Sequence, residues 1–131
     1  MLRLVVGVLA AWVVVSAGTV LMLRWVNPPI SAFMIRERVT IPIRHRWVDD
    51  ASISPQLKVA VIAAEDQNFP AHYGFDLKSI NDALVDRERG RRVRGASTIS
   101  QQVAKNLFLW SEQSWFRKGL EAYFTMLIET L

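Results

Sequence analysis

Twenty consecutive uncharged residues near the amino terminus constrain the fold of this chain more than any other feature. The run extends from Leu4 to Leu23 and ends at Arg24. At about 1.5 Å per residue, a helix of this length measures roughly 30 Å, which matches the hydrocarbon core of a bilayer. Trp25 directly follows and suits the membrane interface. The sequence therefore predicts a transmembrane anchor over residues 1–26.

A cleaved signal peptide is the alternative interpretation of this run. Val15-Ser16-Ala17 is an acceptable small-residue cleavage site. The apolar run continues beyond that point and is longer than a typical signal core, which favours an uncleaved anchor. Arg3 alone precedes the run while several arginines follow it, so the positive-inside rule would keep the second half in the cytoplasm. The chain has no cysteine, which neither supports nor excludes an oxidising compartment.

The remaining residues are predicted to form a linker and one modest, mainly α-helical domain, because 131 residues leave room for little more. Asn27-Pro28-Pro29 breaks any helix and opens a linker and juxtamembrane segment over 27–53. Alternation over Val39–Ile43 predicts an extended edge segment within it. Four helices are expected after it: Ser54 to about Asp66, Asp76 to Gly90, Ser97 or Thr98 to about Leu109, and Ser114 onward.

The last of these helices is amphipathic, and its apolar side predicts a core face. That face would consist of Phe116, Leu120, Tyr123, Phe124, Leu127 and Leu131. The pattern continues in full register to Leu131 without a stop signal, which indicates a chain that has been cut. An inactive, truncated remnant is therefore one reading of the whole sequence.

Two short runs carry most of the chemical information. The first, from Glu65 to Asp76, reads Glu-Asp-x-x-Phe-x-x-His-x-Gly-Phe-Asp. The second, from Gly95 to Asn106, reads Gly-x-Ser-Thr-Ile-x-Gln-Gln-x-x-Lys-Asn. A carboxylate that closes the apolar stretch Val59–Ala64 suits base chemistry. The hydroxyl, amide and ammonium groups of the second run can surround an anionic ligand.

A third run, Arg117-Lys118-x-x-Glu121-Ala122, lies at the start of the last helix. By itself it fits an ion pair one turn apart on a solvated face. In order and distance, however, the three runs together resemble the first three signature motifs of the peptidoglycan glycosyltransferases, glycosyltransferase family 51. The single anchor and the linker are similar to those of the monofunctional members.

The resemblance implies a lysozyme-like helical glycosyltransferase domain, of which residues 54–131 would form the N-terminal part. Such a domain polymerises a lipid-linked disaccharide-pentapeptide into β-1,4 glycan strands and releases polyprenyl pyrophosphate. The expected location is the bacterial inner membrane, with the catalytic part in the periplasm, which is opposite to the orientation that the charge count predicts. The expected partners are the lipid-linked precursor, the bilayer and other cell-wall synthesis proteins, and no nucleic acid.

The resemblance also assigns roles to individual residues. Glu65 would be the general base and Glu121 the second carboxylate, near the leaving pyrophosphate, whose charge Lys105, Arg117 and Lys118 would offset. The other substrate-binding positions that match the motifs are Asp66, Phe69, His72, Gly74, Ser97, Thr98, Gln101, Gln102 and Asn106. His72 is expected to order its loop by hydrogen bonding, and its separation from His45 argues against a zinc site. No metal ligand is assigned and no cofactor is obligatory, although a divalent cation such as magnesium would be compatible.

Two further function classes stay open at this stage. A lysozyme-like hydrolase also uses two carboxylates beside a sugar, but it has no pyrophosphate for the cations to bind. A membrane-tethered helix-turn-helix protein could use residues 98–107 together with the arginines between Arg87 and Arg94. No short glycine-containing turn leads on to a recognition helix, which argues against DNA binding.

Overall fold

The computed structural model describes residues 1–38, 42–91 and 95–131, and over these residues the fold is helical without a strand. The predicted mainly α class is confirmed. The helices are α1 (Leu2–Met22), α2 (Ala32–Glu37), α3 (Pro55–Glu65), α4 (Leu77–Glu88), α5 (Ile99–Phe108) and α6 (Trp115–Thr130). Two short 3₁₀ turns, Asp50–Ser52 and Phe69–Ala71, lie between them. Val39, Thr40 and Ile41 of the predicted extended segment lie outside the described residues.

Side-chain caps start the helices where the sequence predicts. Ser54 accepts a hydrogen bond from the Leu57 N–H, and Ser114 accepts one from the Arg117 N–H. Thr98 and Gln101 form a reciprocal capping box at the start of α5. Each cap satisfies a backbone donor that the first turn leaves without an intrahelical partner. The short helix α2 was not predicted, although Ser31 caps it in the same way.

The core lies between α5 and α6 and is completed by α1. Ala104, Leu109 and Phe124 are buried there with Val20 of α1. The rings of Phe108 and Phe124 stack with their centroids 4.4 Å apart. These contacts fix α5 beside α6, and so fix the second sequence run beside the third.

The predicted core face of α6 is wrong at both of its ends. Phe116 is 71% exposed, because the first turn of α6 extends past the α5 core and its ring stacks on Trp110 in the preceding loop. Leu131 is also exposed. The central part of the face is confirmed, since Leu120, Tyr123 and Leu127 pack on the buried cluster.

Helix α1 is apolar and largely exposed, which is the inverse of an ordinary core helix. By length and composition it could cross a membrane. Along one side it contacts α6: the Ser16 hydroxyl lies 2.7 Å from the Tyr123 hydroxyl, and Trp12 lies against the Tyr123 ring at 4.8 Å. Its other faces expose valine and leucine side chains, which in water would be unfavourable.

Candidate functional site

Asp66 joins the first sequence run to the second. Its Oδ1 lies 2.9 Å from His72 Nε2, and its Oδ2 accepts the Ile99 N–H at 3.0 Å. Ile99 is the first residue of α5, so this buried carboxylate holds the start of that helix against the end of α3. His72 orders its loop through this contact, as the sequence predicts, and the Phe69 ring packs edge-on to it at 6.1 Å.

Asp76 closes the same loop and caps α4. It accepts hydrogen bonds from the Ser79 hydroxyl at 2.6 Å, from the Ser79 N–H at 2.9 Å and from the Asn68 amide at 2.7 Å. These donors, the Ser79 hydroxyl foremost, hold the pKa of Asp76 well below its usual range. Asp66, His72 and Asp76 each offer one possible metal-ligand atom, and these atoms lie within 4.8 Å of one another, a spacing that a metal ion could bridge. The hydrogen bonds already explain this cluster as the element that orders the loop.

Glu65 ends α3 in an open position. Its Oε2 accepts a hydrogen bond from Gln102 Nε2 of α5 at 2.9 Å. The apolar residues before it do not enclose it, because Val59 and Val61 are themselves exposed. Glu65 lines a cavity of about 280 Å³ together with Ser97 and Thr98. The carboxylate is therefore oriented by one neutral partner and remains accessible.

Glu121 is held in the opposite way. It is 2% exposed, and its Oε2 accepts a hydrogen bond from Arg117 Nη1 at 2.6 Å. Its Oε1 accepts one from Lys118 Nζ, which also reaches the Ser97 hydroxyl at 3.4 Å. The solvated ion pair that the spacing alone would predict is thus excluded, because Arg117 is only 7% exposed. Burial at this depth requires the charges to be paired, as they are here.

A cavity of about 510 Å³ opens beside these cations at the start of α6. Its lining consists of Ser97, Gln113, Ser114, Trp115, Arg117 and Lys118. The Arg117 Nε is buried and has no hydrogen-bond partner among the described residues. The N-terminus of α6 adds free backbone donors and the positive end of the helix dipole. The cavity is therefore suited to an anionic ligand.

The remaining predicted site residues fall into two groups. Thr98 and Gln101 are buried in the capping box, and Gly74 lies behind it, where its carbonyl accepts the Thr98 hydroxyl at 2.6 Å. Lys105 and Asn106 lie farther along α5 and line neither of the two cavities described above. Asn106 instead lines a separate, larger opening of about 860 Å³ between α5, α6 and the end of α1.

Sequence reasoning missed one contact that joins the second run to α6. The Ser100 hydroxyl donates to Oε1 of Glu129. Glu129 stands two turns after Glu121, and residues eight apart share a helix face, which is the signal that the sequence offered. Nothing in the sequence indicated its partner on α5.

The comparison with protein families covers the part of the chain that contains all three runs. Residues 34–131 match the transglycosylase family. The chain belongs to this family. It is 54% identical over 121 residues to a biosynthetic peptidoglycan transglycosylase of Pseudomonas entomophila, an alignment that covers 87% of this chain and 51% of that protein.

Two other relatives bear the same name. The protein of Pseudomonas aeruginosa is 53% identical over 123 residues, which cover 88% of this chain and 53% of that protein. The protein of Pseudomonas syringae pv. syringae is 50% identical over 137 aligned positions, which cover 99% and 58%. The chain thus spans about half the length of the curated relatives it matches. The transglycosylase domain is lysozyme-like and helical, which agrees with the expectation from sequence.

Proposed function

We propose that this chain acts as a peptidoglycan glycosyltransferase, which joins lipid-linked disaccharide-pentapeptide units into β-1,4 glycan strands and releases polyprenyl pyrophosphate. The observation that carries this proposal is the contrast between two glutamates on motif positions. Glu121 is buried and holds two cations beside a cavity suited to an anion, while Glu65 is accessible and has one neutral partner. The name shared by the relatives supports the same activity.

Glu65 would act as the general base on the acceptor sugar. The Gln102 amide occupies Oε2 and orients the carboxylate, so that Oε1 can receive the proton of the sugar hydroxyl. Since Asp66 fixes the start of α5, it also fixes the helix that carries Gln102. The second run would therefore contribute to catalysis by positioning the base.

Arg117 and Lys118 would bind the leaving pyrophosphate. The planar guanidinium suits two phosphate oxygens, and Lys118 acts as a point charge. The Ser97 hydroxyl and the N-terminus of α6 would supply further donors at the same cavity. Such fixed donors stabilise charge that develops in the transition state without reorganising. Glu121 would keep both cations in place while the pyrophosphate departs.

A divalent cation fits poorly at Glu121. Both of its carboxylate oxygens already accept hydrogen bonds from Arg117 and Lys118. A magnesium ion bound at Glu121 would lie against these two cations, and their positive charge would oppose its binding. Charge neutralisation at this site is therefore assigned to the protein cations.

Helix α1 would anchor the protein in the bacterial inner membrane, with the following residues in the periplasm. The support is its exposed apolar surface and the location of a lipid-linked substrate at the bilayer.

Because the chain has no cysteine, a single Ser111→Cys substitution on the exposed α5–α6 loop gives a unique reporter of the orientation in the membrane. A membrane-impermeant thiol reagent should label it in cells with a permeable outer membrane. Labelling only after lysis would mean the opposite orientation, which the charge count favours.

The activity is tested with purified chain in detergent and radiolabelled lipid-linked disaccharide-pentapeptide. The parent should form glycan strands that are longer than the substrate, and Glu65→Gln should form none. Glu88→Gln removes an exposed carboxylate at the end of α4 and serves as the matched control, which should retain activity.

Lys105→Ala should weaken substrate binding at low salt, and unchanged affinity would remove Lys105 from the site. Shorter fragments from preformed glycan would indicate a hydrolase, and a folded parent without product would refute the proposal.

A further inference from the structure

Three segments meet behind the proposed site, on the second half of α6. The buried Ser100 hydroxyl, in the first turn of α5, donates to the Glu129 carboxylate. The loop of the first run comes to the same place, because Gly74 lies against the side chains of Thr125 and Glu129. Glu129 thus contacts the first and the second run, and it lines the larger opening between α5, α6 and the end of α1 instead of the cavity of Arg117 and Lys118.

The packing at Gly74 shows how closely these segments fit. Gly74 has a φ of 73°, and a Cβ built there would lie 2.7 Å from Thr125 Cγ2 and 2.9 Å from Glu129 Cγ. Both distances are shorter than any ordinary contact. The Glu129 stem therefore forms a wall for the loop while its carboxylate holds α5.

We propose that Glu129 is a positioning residue that sets α5 on α6 and thereby the separation of the two glutamates of the site. The position of the Glu65 carboxylate depends on α5, because Gln102, two residues after Ser100 on that helix, binds it. The position of Glu121 depends on α6, because Glu121 lies on that helix, two turns before Glu129 and on the same face. The Ser100–Glu129 hydrogen bond joins α5 directly to α6, in addition to the contact that Lys118 of α6 makes with Ser97 just before α5.

The strength of this link follows from its chemistry. A hydrogen bond to an ionised carboxylate is roughly twice as strong as one between neutral groups. Loss of either partner leaves the other partner without its hydrogen bond in a largely buried place. Glu129→Ala and Ser100→Ala should therefore have similar effects, and the double variant should be little worse than either single variant. Glu129→Gln keeps an oxygen acceptor and should restore most of the parent behaviour.

The first test measures geometry and requires no substrate. Two cysteines introduced into the cysteine-free chain, at the exposed positions Ala64 and Gly119, would carry spin labels beside Glu65 and Glu121. Double electron–electron resonance in detergent should give a narrow distance distribution for the parent. The distribution should broaden in Glu129→Ala and Ser100→Ala and stay narrow in Glu129→Gln and in the control Glu88→Ala. Equal widths in all variants would overturn the proposal.

The second test rests on the proposed function and measures turnover. Misplacement of about 1 Å costs up to roughly 100-fold in rate, so kcat of Glu129→Ala should fall by roughly 10- to 100-fold. KM should change by less than about twofold, because the pyrophosphate cations remain in place. A parent chain without turnover would refute the proposed function and leave the distance measurement to decide the positioning role. A rise in KM with unchanged kcat would contradict the positioning role.

Discussion

The regions around the two glutamates differ in nearly every physical respect. Glu65 ends a helix whose apolar side chains are exposed, and one neutral amide holds it. Glu121 lies in the packed α5–α6 interior, and two cations hold it. The same residue type is thus kept reachable in one region and fixed in the other. This difference fits the proposed roles, because a base must be reachable by its substrate, whereas a carboxylate that orients cations must be held in place.

Substitution of Glu121 should give the largest effect on stability. Glu121→Ala leaves Arg117 charged, buried and without its carboxylate, which should lower the free energy of unfolding by about 3–5 kcal/mol. Chemical denaturation in detergent, followed by circular dichroism, measures this change. The double variant Arg117→Met/Glu121→Leu removes both buried charges and should lose less. If the single variant lost under about 1 kcal/mol, the pair would behave as a solvated one and the contrast between the regions would fail.

The two glycines with positive φ give a matched comparison of packing. Gly74 (φ 73°) lies against α6, whereas a Cβ added at Gly90 (φ 65°) would have nothing within 4 Å of it. Gly90→Ala should cost roughly 1 kcal/mol of backbone strain. Gly74→Ala carries the same strain and in addition overpacks Thr125 and Glu129, which should add roughly 1–3 kcal/mol. Equal losses in thermal unfolding of the two variants would show that the loop does not pack on α6.

Asp76 should make the loop between these regions sensitive to acid. Its pKa is lowered in the folded state, so its contribution to stability is complete above the pKa of an unfolded aspartate, about 3.9. The contribution is lost as the pH falls through the lower folded value. Asp76→Asn should therefore lower the unfolding midpoint at neutral pH and flatten its decline between about pH 4 and pH 2. Asp82→Asn, an exposed change on the same helix, is the control. Parallel pH profiles for parent and Asp76→Asn would contradict this prediction.

Glu65→Gln should have the smallest effect on stability and a complete effect on turnover. The side chain is exposed and glutamine preserves its shape, so the free energy of unfolding should change by less than about 0.5 kcal/mol. Measured beside Glu121→Ala, this variant separates a residue kept for chemistry from one that also supports the fold. A loss comparable to that of Glu121→Ala would remove the distinction.

The sequence predicted the starts of the helices, because these depend only on neighbouring residues in the chain. Ser54, Asp76, Thr98 and Ser114 all start helices as expected, because a cap acts within three residues of sequence. The burial of Glu121 and the exposure of Phe116 could not be predicted in this way, since both depend on where α5 ends beside α6. The Ser100–Glu129 contact joins residues 29 positions apart.

The contact between α1 and α6 has a consequence for insertion into a bilayer. The two helices run in the same direction, since Trp12 meets Tyr123 while Arg24 Nη1 donates to the Leu131 carbonyl at 2.5 Å. Six residues, roughly 9 Å of helix, separate Tyr123 from Arg117, and an equal step back along α1 ends near Val6. If α1 crossed the bilayer with α6 still beside it, Lys118 would lie level with the beginning of the span, where a long lysine side chain can reach the interface. If α1 acts as the proposed anchor, α6 covers one side of it and lipid can contact only its other faces.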